Sequence, residues 1–198
     1  MTNGIRLSVM MDASGRAVIG YRLKKSDLHG EAIDLNLARS PARLRLLLHH
    51  TPVLDESNQH LTTDKSSYTL ATADSNSAAL TYDYVRDPPN KYPEAHLHID
   101  GEAQGLQRML ISSDRSKNRP VHLHLPVGGR RCRPSLEDLI EFCILEELVT
   151  PRPNWQRALD ASRDRFHLQQ LRAAVRRNPD EAASVQRDLG WTASAPSG

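Results

Sequence analysis

The chain has 198 residues, 38% of them hydrophobic and 25% charged, with 12 prolines, 10 glycines and a formal net charge of +2. Near balance of charge with dispersed apolar residues excludes a disordered chain. The longest aliphatic run, Leu46-Leu47-Leu48, is far too short for a membrane-spanning helix. Met1-Thr2-Asn3-Gly4 lacks the basic-then-apolar layout of a secretion signal, so a cytoplasmic location is expected. Two cysteines, Cys132 and Cys143, form neither a disulfide framework nor a Cys-x-x-Cys pair.

The first half reads as strands. Ile5, Leu7, Val9 and Met11 recur with period two, Asp12-Ala13-Ser14-Gly15 is turn chemistry, and Ile19, Tyr21 and Leu23 resume the alternation, which predicts a hairpin. Ile33, Leu35 and Leu37 form a third strand and Leu44, Leu46 and Leu48 a fourth, separated by Ser40-Pro41. His49-His50 is expected to end the fourth strand, and His60 to lie in a loop. Tyr68 to Thr72 and Leu80 to Val85 flank Asp74-Ser75-Asn76-Ser77, a second hairpin signal. Two short strands are then expected at Ala95–Ile99 and Val121–Val127, with Gly101–Pro120 between them supporting a helical turn or two and then a loop.

From residue 134 the period becomes helical. Ser135-Leu136-Glu137-Asp138 is a near match to a capping box, and Leu136, Leu139, Ile140, Cys143 and Leu148 recur at helical spacing. Phe142, Ile144, Leu145 and Val149 widen that stripe, so this helix is expected to be largely buried and to stop at Thr150-Pro151. A second helix is expected from Asn154 to Arg177, with Trp155, Leu159, Phe166 and Leu171 as its apolar edge. Asn178-Pro179 opens a third, which Gly190 ends. The fold class is therefore α+β: an antiparallel sheet in the N-terminal two-thirds followed by a C-terminal helical segment that covers one face. Residues 1–150 are read as the sheet with one packed helix, and 151–198 as a basic helical extension of the same domain.

The net charge conceals segregation. Residues 106–133 hold seven basic residues against one acid, residues 134–150 hold five acids and no base, and residues 151–177 hold seven arginines against two aspartates. Two basic segments suit an anionic partner such as RNA or another nucleic acid, because arginine presents a fork of donors to phosphate. Arg163, Arg172 and Arg176 on the second helix are the candidate nucleic-acid contacts. Intramolecular pairing with the acidic segment is the competing explanation, and sparse aromatic residues on that helix argue against base stacking.

Four of the nine histidines fall in two His-x-His triplets, Ala95-His96-Leu97-His98-Ile99 and Val121-His122-Leu123-His124-Leu125. Strand alternation places each imidazole pair on one face and the aliphatic residues on the other. If the two strands are neighbours, four imidazoles share a face. Three readings stand open. In the first, His96, His98, His122 and His124 are acid–base catalysts, since imidazole titrates near neutrality. The adjacent Arg130 and Arg131, with Arg133, then hold a phosphate. In the second, neutral imidazoles bind a metal, with Asp100 and Glu102 as nearby carboxylates, although no Cys or His-x-x-x-His element completes a familiar ligand spacing. In the third, the histidines are polar residues on an open sheet face. No phosphate loop, nucleophile elbow or cofactor motif is present, so no metal ligand and no cofactor is assigned.

From Leu80 to about Ile144 the order of features resembles the TumE-type toxins of bacterial toxin–antitoxin pairs. A strand with alternating tyrosines ends in an Arg-Asp step, Tyr82-Asp83-Tyr84-Val85-Arg86-Asp87. A proline-led segment carries His-x-His, Tyr92-Pro93-Glu94-Ala95-His96-Leu97-His98. A closing helix rich in Leu and Glu opens at Pro134-Ser135. The resemblance implies a cytoplasmic growth-inhibitory protein acting on RNA, a ribonuclease in the leading reading, neutralised by a helix-turn-helix antitoxin. Arg86, Asp87, His96 and His98 are the positions it carries over, with Arg86 as a further phosphate contact. The alternatives from other classes are a non-catalytic module binding nucleic acid or protein through its arginine-rich helix, and a His-based metal-dependent hydrolase.

Overall fold

A computed structural model of the chain describes residues 5–36, 43–55, 57–72, 78–89, 93–99, 125–127, 133–146 and 148–192. Eight strands form one antiparallel sheet: β1 Leu7–Met11, β2 Ala17–Tyr21, β3 Ile33–Asn36, β4 Arg43–Leu54, β5 Leu61–Thr72, β6 Ala78–Val85, β7 Ala95–Ile99 and β8 Leu125–Pro126. Among the described residues three helices follow: α1 Leu136–Leu145, α2 Trp155–Arg177 and α3 Pro179–Asp188. The architecture is α+β, as the change of period at residue 134 predicts. Spatial order along the sheet is β1-β2-β4-β5-β6-β7-β8, with β3 paired to β4 beside β2. The chain divides into two compact units, residues 1–153 and residues 154–198. Among the described residues no helix is long and apolar enough to cross a membrane.

Strands β4 and β5 are twelve residues each, longer than the aliphatic alternation alone marks. His49 and His50 do not end β4; the strand runs on through Pro52 to Leu54. A register shift between Thr51 and Pro52 makes this possible, since Thr51 faces Lys65 while Pro52 faces Thr63. The extra residue on β5 is a bulge, the irregularity at which a strand tolerates a proline that lacks a donor. Gly20 of β2 lies opposite His49, and a Cβ there would come within 2.8 Å of the Leu23 side chain and 3.2 Å of the Leu48 carbonyl oxygen. A larger residue there would have to displace the Leu23 side chain and crowd the β4 backbone.

One sheet face carries Leu44, Leu46, Leu48 and Leu70 together with Tyr68, Tyr82, Tyr84 and Ala95; the four leucines, Tyr84 and Ala95 are buried. The lead into α1 packs on this face, with the Arg133 guanidinium 4.6 Å above the Tyr84 ring. Burial pushes the Tyr68 and Tyr82 hydroxyls upward in pKa, helped at Tyr82 by Asp138 and Cys143 of α1. The capping box expected at the start of α1 is complete. Ser135 Oγ accepts from the Asp138 amide at 3.2 Å, and the Asp138 carboxylate accepts from the Ser135 amide at 2.8 Å.

Leu139, Cys143, Ile144 and Val149 are buried, and burial lifts the Cys143 thiol to about 11. Phe142 and Leu145 are exposed, and α1 ends at Leu145 rather than continuing to Thr150. The stripe is thus narrower than the sequence suggests, because the chain bends at Glu146 and returns Val149 to the core as a loop residue.

In the second unit, α2 starts after Asn154 and ends at Asn178, where Pro179 opens α3. Of the expected apolar edge of α2, Leu159 is buried, Trp155 and Phe166 are half-buried and Leu171 is exposed.

Candidate functional site

The face opposite the tyrosines carries a cluster of titratable side chains. Antiparallel pairing sets Asp83 of β6 against His96 of β7, and Thr81 against His98. The first row continues across the sheet, since Ser67 faces Asp83 and His49 faces Ser67. Residues paired across strands share a face, so His49, Ser67, Asp83 and His96 form a polar line, with Thr69, Thr81 and His98 in the neighbouring row.

Asp83, His96 and His98 converge. Each offers one ligand atom, and these atoms all lie within 4.8 Å of one another. His98 Nε2 stands 3.2 Å from Asp83 Oδ2. The two imidazoles meet edge to face, with centroids 4.9 Å apart at an interplanar angle of 71°. His96 Nδ1 lies 2.8 Å from the Pro93 carbonyl oxygen, which can only accept. That bond places a hydrogen on Nδ1, so in the neutral ring Nε2 is the basic nitrogen. Access is graded. His96 is 6% exposed, whereas the side chains of His98 and Asp83 are 15% and 28% exposed, so the group opens to solvent on the Asp83 side.

Burial of the first triplet departs from the sequence reading. Ala95 is buried as expected, yet Ile99 at the strand end is 38% exposed while His96 is enclosed. Burial thus declines along β7 on both faces, from Ala95 and His96 at its start to Ile99 at its end. Asp83 is the group that periodicity leaves out. Its place between Tyr82 and Tyr84 signals only that it faces away from them; what brings it to the histidines is the β6–β7 register.

The other expected site residues are distributed as follows. His122, His124, Arg130 and Arg131 lie outside the described residues, as do Asp100 and Glu102. Leu125 and Pro126, directly after the second triplet, do pair with Leu97 and His96. Arg86 sits at the β5 bulge. Its Nε and Nη2 donate to the Thr63 carbonyl at 3.0 and 2.8 Å, Nη2 also donates to Thr62 Oγ1, and its amide donates to the Asp64 carbonyl at 2.8 Å. Those donors brace the bulge. Asp87 adopts a left-handed φ of 45° at the end of β6, its amide donating to Glu94. Arg133 departs from its expected role: it stacks on the tyrosine face, on the far side of the sheet from Asp83, His96 and His98, and donates to Thr63 Oγ1 at 3.1 Å.

Beside Arg133 lies a part-buried relay. Thr63 Oγ1 accepts from Arg133 and stands 3.3 Å from His50 Nε2. Burial first, then the positive Arg133 and the neighbouring His49, hold the His50 imidazole down to about 4. On the other face His49 is also lowered, by burial and then by His29, whose ring centroid is 6.0 Å away. On α2, Arg163 is half-buried and 3.4 Å from Asp160, whereas Arg172 and Arg176 are exposed one turn apart. No family model, curated protein or solved structure matches the chain.

Proposed function

We propose that this chain is a toxin-type, RNA-directed ribonuclease whose reactive centre is Asp83, His96 and His98. The observation that carries the reading is the pairing of two imidazoles held in different hydrogen-bonding states on one sheet face. His96 donates Nδ1–H to the Pro93 carbonyl, so its Nε2 lone pair suits it to take the proton from a ribose 2′-hydroxyl. His98, with the Asp83 carboxylate 3.2 Å from its Nε2, suits the complementary role of carrying a proton to the leaving 5′-oxygen. The 2′-oxygen then forms the new bond to phosphorus while the bond to the 5′-oxygen breaks, giving a cyclic phosphate and a free hydroxyl. Arg130 and Arg131, which follow the second triplet, are the proposed phosphate contacts, with His122 and His124 as further proton carriers. A helix-turn-helix antitoxin is the neutralising partner that the resemblance to TumE-type toxins implies.

A second reading is favoured by one observation. The exposed pair Arg172 and Arg176 lies on a common face of α2, the spacing at which two guanidinium groups engage successive phosphates without chemistry.

The deciding experiment is controlled expression of the chain beside His98→Ala and Asp83→Asn, with growth and RNA integrity both followed. Growth arrest and cleavage products ending in cyclic phosphate are expected for the natural chain and are lost in both variants. Equal arrest by all three proteins rejects the catalytic reading.

A further inference from the structure

We propose that Asp83, His96 and His98 bind one divalent first-row transition metal ion of the zinc type, leaving a coordination position open to water or a phosphate oxygen. The donor set is two imidazole nitrogens and one carboxylate oxygen, the combination that suits zinc, cobalt or manganese rather than the all-oxygen shells of calcium and magnesium.

Three features of the geometry favour an ion over a plain hydrogen-bonded pair. At metal–ligand distances of about 2.1 Å, two ligand atoms of a tetrahedral site stand about 3.4 Å apart. His98 Nε2 and Asp83 Oδ2 already stand 3.2 Å apart, and the third ligand atom lies within 4.8 Å of both. The His96 tautomer is preset by the Pro93 carbonyl, and an imidazole that donates one ring N–H to a backbone carbonyl while presenting the other nitrogen is the usual outer arrangement of a histidine metal ligand. Finally, the ligands sit on adjacent interior strands in fixed register, Asp83 opposite His96 and His98 two residues further along the same face, so little reorganisation is needed on binding. Three protein ligands with an open side at Asp83 match a site that keeps a position for a reacting molecule.

Binding requires the hydrogen between His98 Nε2 and Asp83 to leave: a neutral ring carries it on Nδ1 instead, and a doubly protonated ring gives it up to solvent. The bound ion lowers the pKa of a coordinated water or neutralises a phosphate oxygen. This inference uses the same side chains as the proposed reaction and would pass the base role from His96 Nε2, engaged by the ion, to the coordinated water; its test does not depend on RNA.

Chelator-treated protein with its purification tag removed is titrated with Zn²⁺ against a chromophoric chelator, and with Co²⁺ by visible absorption. One equivalent is expected to bind, with d–d bands of a low-coordinate nitrogen–oxygen site. His98→Ala and Asp83→Asn, each verified as folded by circular dichroism, weaken binding by more than about tenfold, while His49→Ala leaves it unchanged. Absence of binding to the natural chain, or equal affinity in the His98 and Asp83 variants, overturns the proposal. Stoichiometric metal without RNA cleavage rejects the ribonuclease reading alone; cleavage without metal binding rejects this inference alone.

Discussion

Acidification should destabilise the protein through His50, by an amount the structure sets. This imidazole lies on the covered sheet face, 3.3 Å from Thr63 Oγ1, which already accepts from the Arg133 guanidinium at 3.1 Å. The hydroxyl is therefore oriented to donate to His50 Nε2, which requires a neutral ring, and a protonated ring would face Arg133. The folded protein binds this proton only near pH 4, against about 6.5 for a free imidazole. Above pH 6.5 both states are neutral and the group contributes no pH dependence. As pH falls below 6.5 the unfolded chain takes up a proton that the folded chain refuses, so stability declines, and the decline ends once the folded ring also protonates near pH 4. At about 1.36 kcal/mol per pH unit, moving from pH 7 to pH 4.5 removes about 2 kcal/mol. Urea unfolding of the natural chain and of His50→Gln at both pH values isolates this amount, because His49 and the carboxylates titrate equally in both proteins. The stability difference between the two proteins should shift by about 2 kcal/mol in favour of the variant at the lower pH. A difference that stays constant between pH 7 and pH 4.5 would refute the assignment of a half-buried, neutral His50.

Ser135→Ala removes the hydroxyl that caps α1 and should cost about 1 kcal/mol in chemical denaturation; Ser135→Asp should recover most of it, and an unchanged midpoint in the alanine variant would show that the cap is not coupled to global unfolding. Leu139 is 2% exposed in the core under α1, so Leu139→Ala should lower stability by about 2–5 kcal/mol, and a loss under 1 kcal/mol would mean that the helix is not part of the cooperative unit. If α2 touches single-stranded RNA through Arg172 and Arg176, replacing both with alanine should lower the slope of log affinity against log salt by about 1.4, and an unaltered slope would remove those two contacts.

Local periodicity in the sequence already specifies most elements of this fold. Alternating residues identify the N-terminal hairpin and the long leucine strand, and the change to helical spacing at Pro134 marks the end of the sheet. Ser135 and Asp138 announce the helix start, and Asn178-Pro179 separates the last two helices. These signals are legible because each is a relation between residues a few positions apart. Where elements run longer than expected, the cause is non-local: β4 carries Pro52 only because β5 supplies a bulge at Thr63–Lys65 to receive it.

The candidate site divides along the same line. Alternation alone puts His96 and His98 on one face of a strand and Asp83 on the face away from its flanking tyrosines. That these two faces coincide, with Asp83 directly opposite His96, depends on strand pairing across a connection of nine residues between Val85 and Ala95, a length that leaves the register undetermined by turn chemistry. Nearness in sequence also misplaces Arg133, because the chain carries it onto the tyrosine side of the sheet. The sequence by itself determined which residue types are available and how each strand is sided. The tertiary structure decided which sides meet, because a one-residue slip between β6 and β7 would send the carboxylate and the imidazoles to opposite faces.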